Sequence, residues 1–175
     1  MDGQPGSARP VVIELVRFAL TGGQELSYQV GRDDLPASAA PDDHALALSG
    51  VGPGEPGGVC HSTSWRYDTG VVVLTYAATP LRLVGASQPL VEPAVVCSDD
   101  PLRPTPPALH AHHVVAHAAR HLAYLARHDP TVAATAQVRP QLWAALQQAA
   151  DRMPVAPHAR AHSLATRPAA RVRSA

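Results

Sequence analysis

Apolar residues run almost without interruption through PVVIELVRFAL (residues 10–20), a stretch rich in β-branched and aromatic side chains. It reads as a strand covered on both faces. TGGQ (21–24) supplies a turn, because adjacent glycines reach positive φ cheaply. ELSYQV (25–30) then alternates, with Leu26, Tyr28 and Val30 on one face, and completes a hairpin. HALALSGV (44–51) also alternates and predicts a third strand. VCHSTSWRY (59–67), the turn DTG and VVVLTYAA (71–78) give the clearest hairpin in the chain, and LVEPAVVCS (90–98) offers one more short strand.

The period changes after residue 107. ALHAHHVVAHAARHLAYLARH (108–128) contains neither Gly nor Pro and predicts a long helix. Asp129-Pro130 has the form of an N-cap and first helical residue, and Arg139-Pro140 opens a helix to about Met153 in the same way. The expected architecture is an α+β domain over residues 10–153. An antiparallel sheet of four to six strands occupies residues 10–98, and the C-terminal helices pack on one face. Leu15, Val72, Leu74, Val115, Leu122, Leu125, Leu142 and Leu146 are the expected core, with Trp65 and Trp143 as core anchors. Residues 1–9 are expected to be a disordered leader and residues 154–175 a disordered basic tail.

Composition tempers several of these signals. The 175 residues include no lysine and no asparagine, and only one isoleucine and one phenylalanine. High-GC codon usage accounts for that bias, so arginine is the basic residue by default and histidine is freely supplied. The net charge is zero, yet residues 1–100 carry 12 acids against 5 arginines, and residues 101–175 carry 2 acids against 9 arginines. The sign changes where strands give way to helices, which favours attraction between the halves within the fold over an anionic partner. Cys60 and Cys97 are the only cysteines and lack zinc-ribbon spacing. No stretch has the form of a signal peptide or a membrane span, so a cytoplasmic protein without a membrane partner is expected.

Five of the ten histidines fall in HAHHVVAHAARH (110–121). At about 100° per residue, His113, Tyr124, His117, His110, His128 and His121 share an arc of roughly 80°, at the edge of the apolar side of the helix. His113, His117 and His121 follow i, i+4, i+8 spacing, and neighbouring pairs could share a zinc or nickel ion. The segment has no carboxylate to act as a general base, and Arg120 would repel a cation. No cofactor is therefore expected, and any zinc or nickel should be loosely held. A boundary stripe of amphipathic side chains explains the same pattern without metal.

In VCHSTSWRY the period of two puts His61, Thr63 and Trp65 on one face and Ser62, Ser64 and Arg66 on the other. Polar residues on both faces imply a cleft or solvent on at least one side. His61-Ser62-Thr63 resembles one H-x-[ST] motif of the 2H phosphoesterases, which carry two; the second is missing, and with it half of the acid–base pair. HSTSWR together with the RHLAYL helix resembles uncharacterised actinobacterial proteins of no assigned function, a resemblance that implies no chemistry. GxSxG, GxxxxGK[ST] and GxGxxG are absent, and without lysine there is neither a P-loop lysine nor side-chain Schiff-base chemistry.

These features point to a non-catalytic binding or interaction module. Its expected partner is a protein or a small anionic ligand, the latter held near His61, Ser62, Thr63, Ser64, Arg66 and Arg120. Nucleic acid is not an expected partner, since aromatics are few and the first half is acidic. The alternative is a hydrolase, phosphoesterase-like or metal-assisted, using His61 and the His113/His117/His121 stripe.

Overall fold

The computed structural model describes residues 10–91, 93–96, 98, 100, 105, 106 and 109–153. The expected leader 1–9 and basic tail 154–175 lie outside the described residues. Strand β1 (Val11–Thr21) turns back into β2 (Glu25–Asp34). Helix α1 (Pro41–Ser49) follows, then the hairpin of β3 (Cys60–Asp68) and β4 (Val71–Ala78) and a two-residue strand β5 (Gln88–Pro89). Helices α2 (Ala111–His128), α3 (Pro130–Ala136) and α4 (Pro140–Arg152) complete the described chain.

The sheet order is β3-β4-β1-β2-β5. Three junctions are antiparallel, but β4 runs parallel to β1 at the centre. This parallel pair exists because α1 lies between the two hairpins and carries the chain across the sheet. The expected third strand over residues 44–51 is therefore a helix. Pro41 starts it, Asp42 and Asp43 occupy its positive first turn, and Gly50 ends it at φ 77°. These local signals outweigh a short alternation. The expected strand over 90–98 is also corrected: pairing on that edge stops at Pro89, and no described residue from 90 to 98 is in a strand. Pro89 and Pro93 lack the N–H that a ladder needs.

Alternate residues of β1 serve two different layers. Val16 and Phe18 pack with Ala77 of β4 against Val115, Leu122, Leu142, Trp143 and Leu146 of the C-terminal helices. Ile13 and Leu15 pack with Tyr76 and Ala78 against Ala45 of α1. This double coverage is why β1 is apolar on both faces. Of the expected core, Leu15, Val115, Leu122, Leu142 and Leu146 are buried, whereas Val72, Leu74 and Leu125 are half-buried. Trp143 is a core residue. Trp65 is not: it is 70% exposed on edge strand β3, with Tyr67 51% exposed beside it. Helix α1 is tied to the sheet by Arg17, whose Nε and Nη2 donate to the Leu48 carbonyl at 3.1 and 2.6 Å. Helix α4 is tied down by Arg139, which donates to the Thr79 and Pro80 carbonyls.

Candidate functional site

Strand β3 does not keep a strict period of two. Cys60, His61 and Ser62 pair with Ala78, Ala77 and Tyr76, but Ser64 pairs with Thr75, so Thr63 is the extra residue of a β-bulge. Its hydroxyl donates to the Thr75 carbonyl at 3.1 Å. Cross-strand partners share a face, and Ala77 belongs to the α2 layer while Tyr76 belongs to the α1 layer. His61, Ser64 and Arg66 consequently face α2; Ser62, Trp65 and Tyr67 leave the strand on the other side, although Trp65, on this edge strand, still borders the groove against α2. The face assignment expected from the sequence is corrected by this one bulged residue.

The bulge brings the strand motif and the histidine helix together. The ring centre of His61 lies 5.5 Å from that of His121, and His117 lies 6.3 Å from His121. Towards the N-terminal end of α2, a groove of about 390 Å³ runs beside β3, and Ser64, Arg66, His113 and His117 all line it. Apolar walls come from Trp65, Val95, Val96, Leu109 and Val114. An adjoining cavity of about 500 Å³ shares Arg66, Thr105, Pro106, Leu109 and Val114 with it, and reaches Glu14, Arg32, Asp68 and His110. Ser62 and Thr63 line neither, and Arg120 is exposed on α2 away from both.

The electrostatics of this region centre on a residue that belongs to no sequence motif. Glu14 is 3% exposed and accepts from Arg66 at 2.7 and 2.8 Å, from Arg32 and from the Thr75 hydroxyl. Burial pushes its carboxyl up, but hydrogen bonds and charge from Arg66 and Arg32 outweigh that, so it sits below the ordinary 4.5. Its signal was present in the sequence as the lone acid inside VVIELVRFAL. Arg66 is thereby neutralised. With Asp68 and Asp100 also facing the two cavities, the described residues that line them carry no excess positive charge.

The histidines have different tasks. His110 is the N-cap of α2, its backbone carbonyl accepts from the His113 N–H at 3.0 Å, and His113 Nδ1 accepts from the His110 N–H at 3.2 Å. His113 is thus part of a reciprocal cap. His121 is half-buried; burial, helped by the neighbouring His61 and His117 rings, pushes it below the usual histidine range. Among the described residues no three histidine, cysteine, aspartate or glutamate side chains stand ready to hold a metal ion, and no helix is long and apolar enough to cross a membrane.

Comparison of the chain with family models, with curated proteins and with solved structures gives no match.

Proposed function

We propose that this protein is a non-catalytic binding module whose ligand seats in the groove between β3 and the N-terminal half of α2. One observation carries the reading: a β-bulge turns Ser64 and Arg66 of the strand motif toward His113 and His117 of the helix, around a groove of about 390 Å³. A volume of that size lies in the range of small-molecule sites, about 300–1,000 Å³. The walls are mainly aliphatic and aromatic, while Ser64, His113 and His117 bring hydrogen-bonding groups to one region. The ligand chemistry that fits is a small, largely apolar molecule with a polar end.

An anion is the weaker candidate, because Arg66 is paired with Glu14 and Arg120 borders neither cavity. Hydrolysis has less support still. Glu14, the buried carboxylate of the region, is fixed by two arginines and is poorly placed to take up a proton. The two-cysteine composition supports a cytoplasmic setting.

The test is a screen of small carboxylic acids, amides and alcohols against 15N-labelled protein, read by amide chemical shifts. Ligands are expected to move the signals of Ser64, His113, Val114 and His117, and Val114→Trp, which fills the groove, should abolish the response. Hits that bind the filled variant equally well would sink the proposal.

A further inference from the structure

Imidazoles gather twice along α2. At its N-terminal end His110, His112 and His113 pack with ring centres 3.9 to 5.6 Å apart. That group sits at the positive end of the helix dipole, and His113 Nδ1 is already committed to the His110 N–H. A cation there meets like charge and a lone pair in use.

The second group is differently placed. His117 and His121 are one helical turn apart, and His61 reaches His121 from β3. His61 Nδ1 lies 2.7 Å from the Ser62 carbonyl. A carbonyl can only accept, so the proton is on Nδ1 and Nε2 presents its lone pair, the arrangement in which a backbone oxygen orients a metal-binding histidine. His121 Nε2, for its part, is buried and has no hydrogen-bond partner among the described residues. A buried ring nitrogen in that state points to an ion or a water that completes it.

We propose that His61, His117 and His121 form a site for one borderline divalent transition ion, of the zinc, cobalt or nickel class, with solvent filling the remaining positions. Zinc bonds imidazole nitrogen at about 2.0–2.1 Å, so two rings sharing an ion at a tetrahedral angle have centres roughly 5 Å apart. His61 and His121 stand at 5.5 Å, and His117 supplies the i, i+4 partner of His121. The exposed ring of His117 turns to complete the set, since the three donors do not yet converge. The site exchanges His113 of the helix stripe for His61 of the sheet, so the ion links β3 to α2. It shares His117 with the groove but does not rest on the ligand reading, because His61 and His121 lie outside the groove lining.

Untagged full-length protein titrated with Co2+ (visible absorbance) and Zn2+ (calorimetry) tests it. One ion per chain is expected, with a raised thermal midpoint. His61→Ala, His117→Ala and His121→Gln should each weaken binding at least about tenfold, whereas His112→Ala and His113→Ala should leave it unchanged. Far-UV circular dichroism checks folding; if His121→Gln fails to fold, the His61→Ala arm decides. Absence of binding to the folded wild type, binding untouched by His61→Ala, or binding lost with His113→Ala would each overturn the proposal.

Discussion

Arg66 of β3 and Glu14 of β1 meet across an intervening strand. Both terminal guanidinium nitrogens of Arg66 donate to the Glu14 carboxylate, and Thr75 of β4, between them, hydrogen-bonds to each. This is a buried ion pair laid across three strands at the end of the sheet beneath the start of α2. Removing Glu14 leaves Arg66 buried without its charge partner, a loss that costs about 3–5 kcal/mol in buried pairs.

The two halves of that pair should not be equivalent. Glu14→Leu strands a buried Arg66 beside Arg32, whereas Arg66→Met leaves Glu14 still held by Arg32 and Thr75. Glu14→Leu is expected to be the more destabilising, and Glu14→Leu/Arg66→Met to be more stable than Glu14→Leu alone. Urea unfolding of the four proteins of the cycle measures this. Simple additivity of the two single losses would refute it.

Acid should act through the same carboxylate. Glu14 binds its proton less tightly in the folded protein than at the unfolded value of 4.5. Its contribution to stability is therefore complete above 4.5 and is lost as the pH falls through the lower folded value, where the unfolded chain takes up the extra proton. Glu14→Gln should flatten the acid limb of a stability-versus-pH curve in that window. Identical slopes for the variant and the wild type would show that other groups govern the acid limb.

The glycine loop before β3 offers a contrast between two positions. Gly54 and Gly57 both have positive φ, at 70° and 76°, but a Cβ at Gly54 meets nothing within 4 Å, while one at Gly57 meets Arg139 Cγ and Cδ at 2.8 Å. Arg139 cannot swing away easily, because its guanidinium holds the Thr79 and Pro80 carbonyls. Gly54→Ala should cost about 1 kcal/mol from backbone strain alone, and Gly57→Ala roughly 1–3 kcal/mol more. Thermal unfolding of the two variants compares them directly, and equal midpoints would contradict the packing argument.

The two tryptophans should behave oppositely. Trp65→Ala is expected to change stability by no more than about 0.5 kcal/mol, and Trp143→Ala to cost about 3–5 kcal/mol. Trp143→Phe should be much milder than the alanine change, because it also removes a buried indole N–H that has no partner among the described residues. Acrylamide quenching gives a second check. Emission from the Trp143→Phe variant should be readily quenched, and emission from Trp65→Phe protected.

The features legible along the chain are local ones. The two hairpins, the caps at Asp129-Pro130 and Arg139-Pro140 and the long helix through residues 111–128 follow from periodicity, turn residues and capping, all of which act within a few positions. Leu122, Leu142 and Leu146 could be assigned to the core because a helix fixes its apolar side internally. Register and distant partners, by contrast, emerge only in the folded protein. The parallel pairing of β4 with β1 requires knowing where α1 delivers the chain. One bulged residue, Thr63, reassigned the faces of His61, Ser64, Trp65 and Arg66, because in a strand a single insertion inverts every side chain on one side of it. Arg66 looked like a free cation until Glu14, 52 positions away, neutralised it. His113, the apparent head of the histidine stripe, proved to be a helix cap, and His61 took the place beside His121 that helical spacing alone would have given to another residue of the same helix.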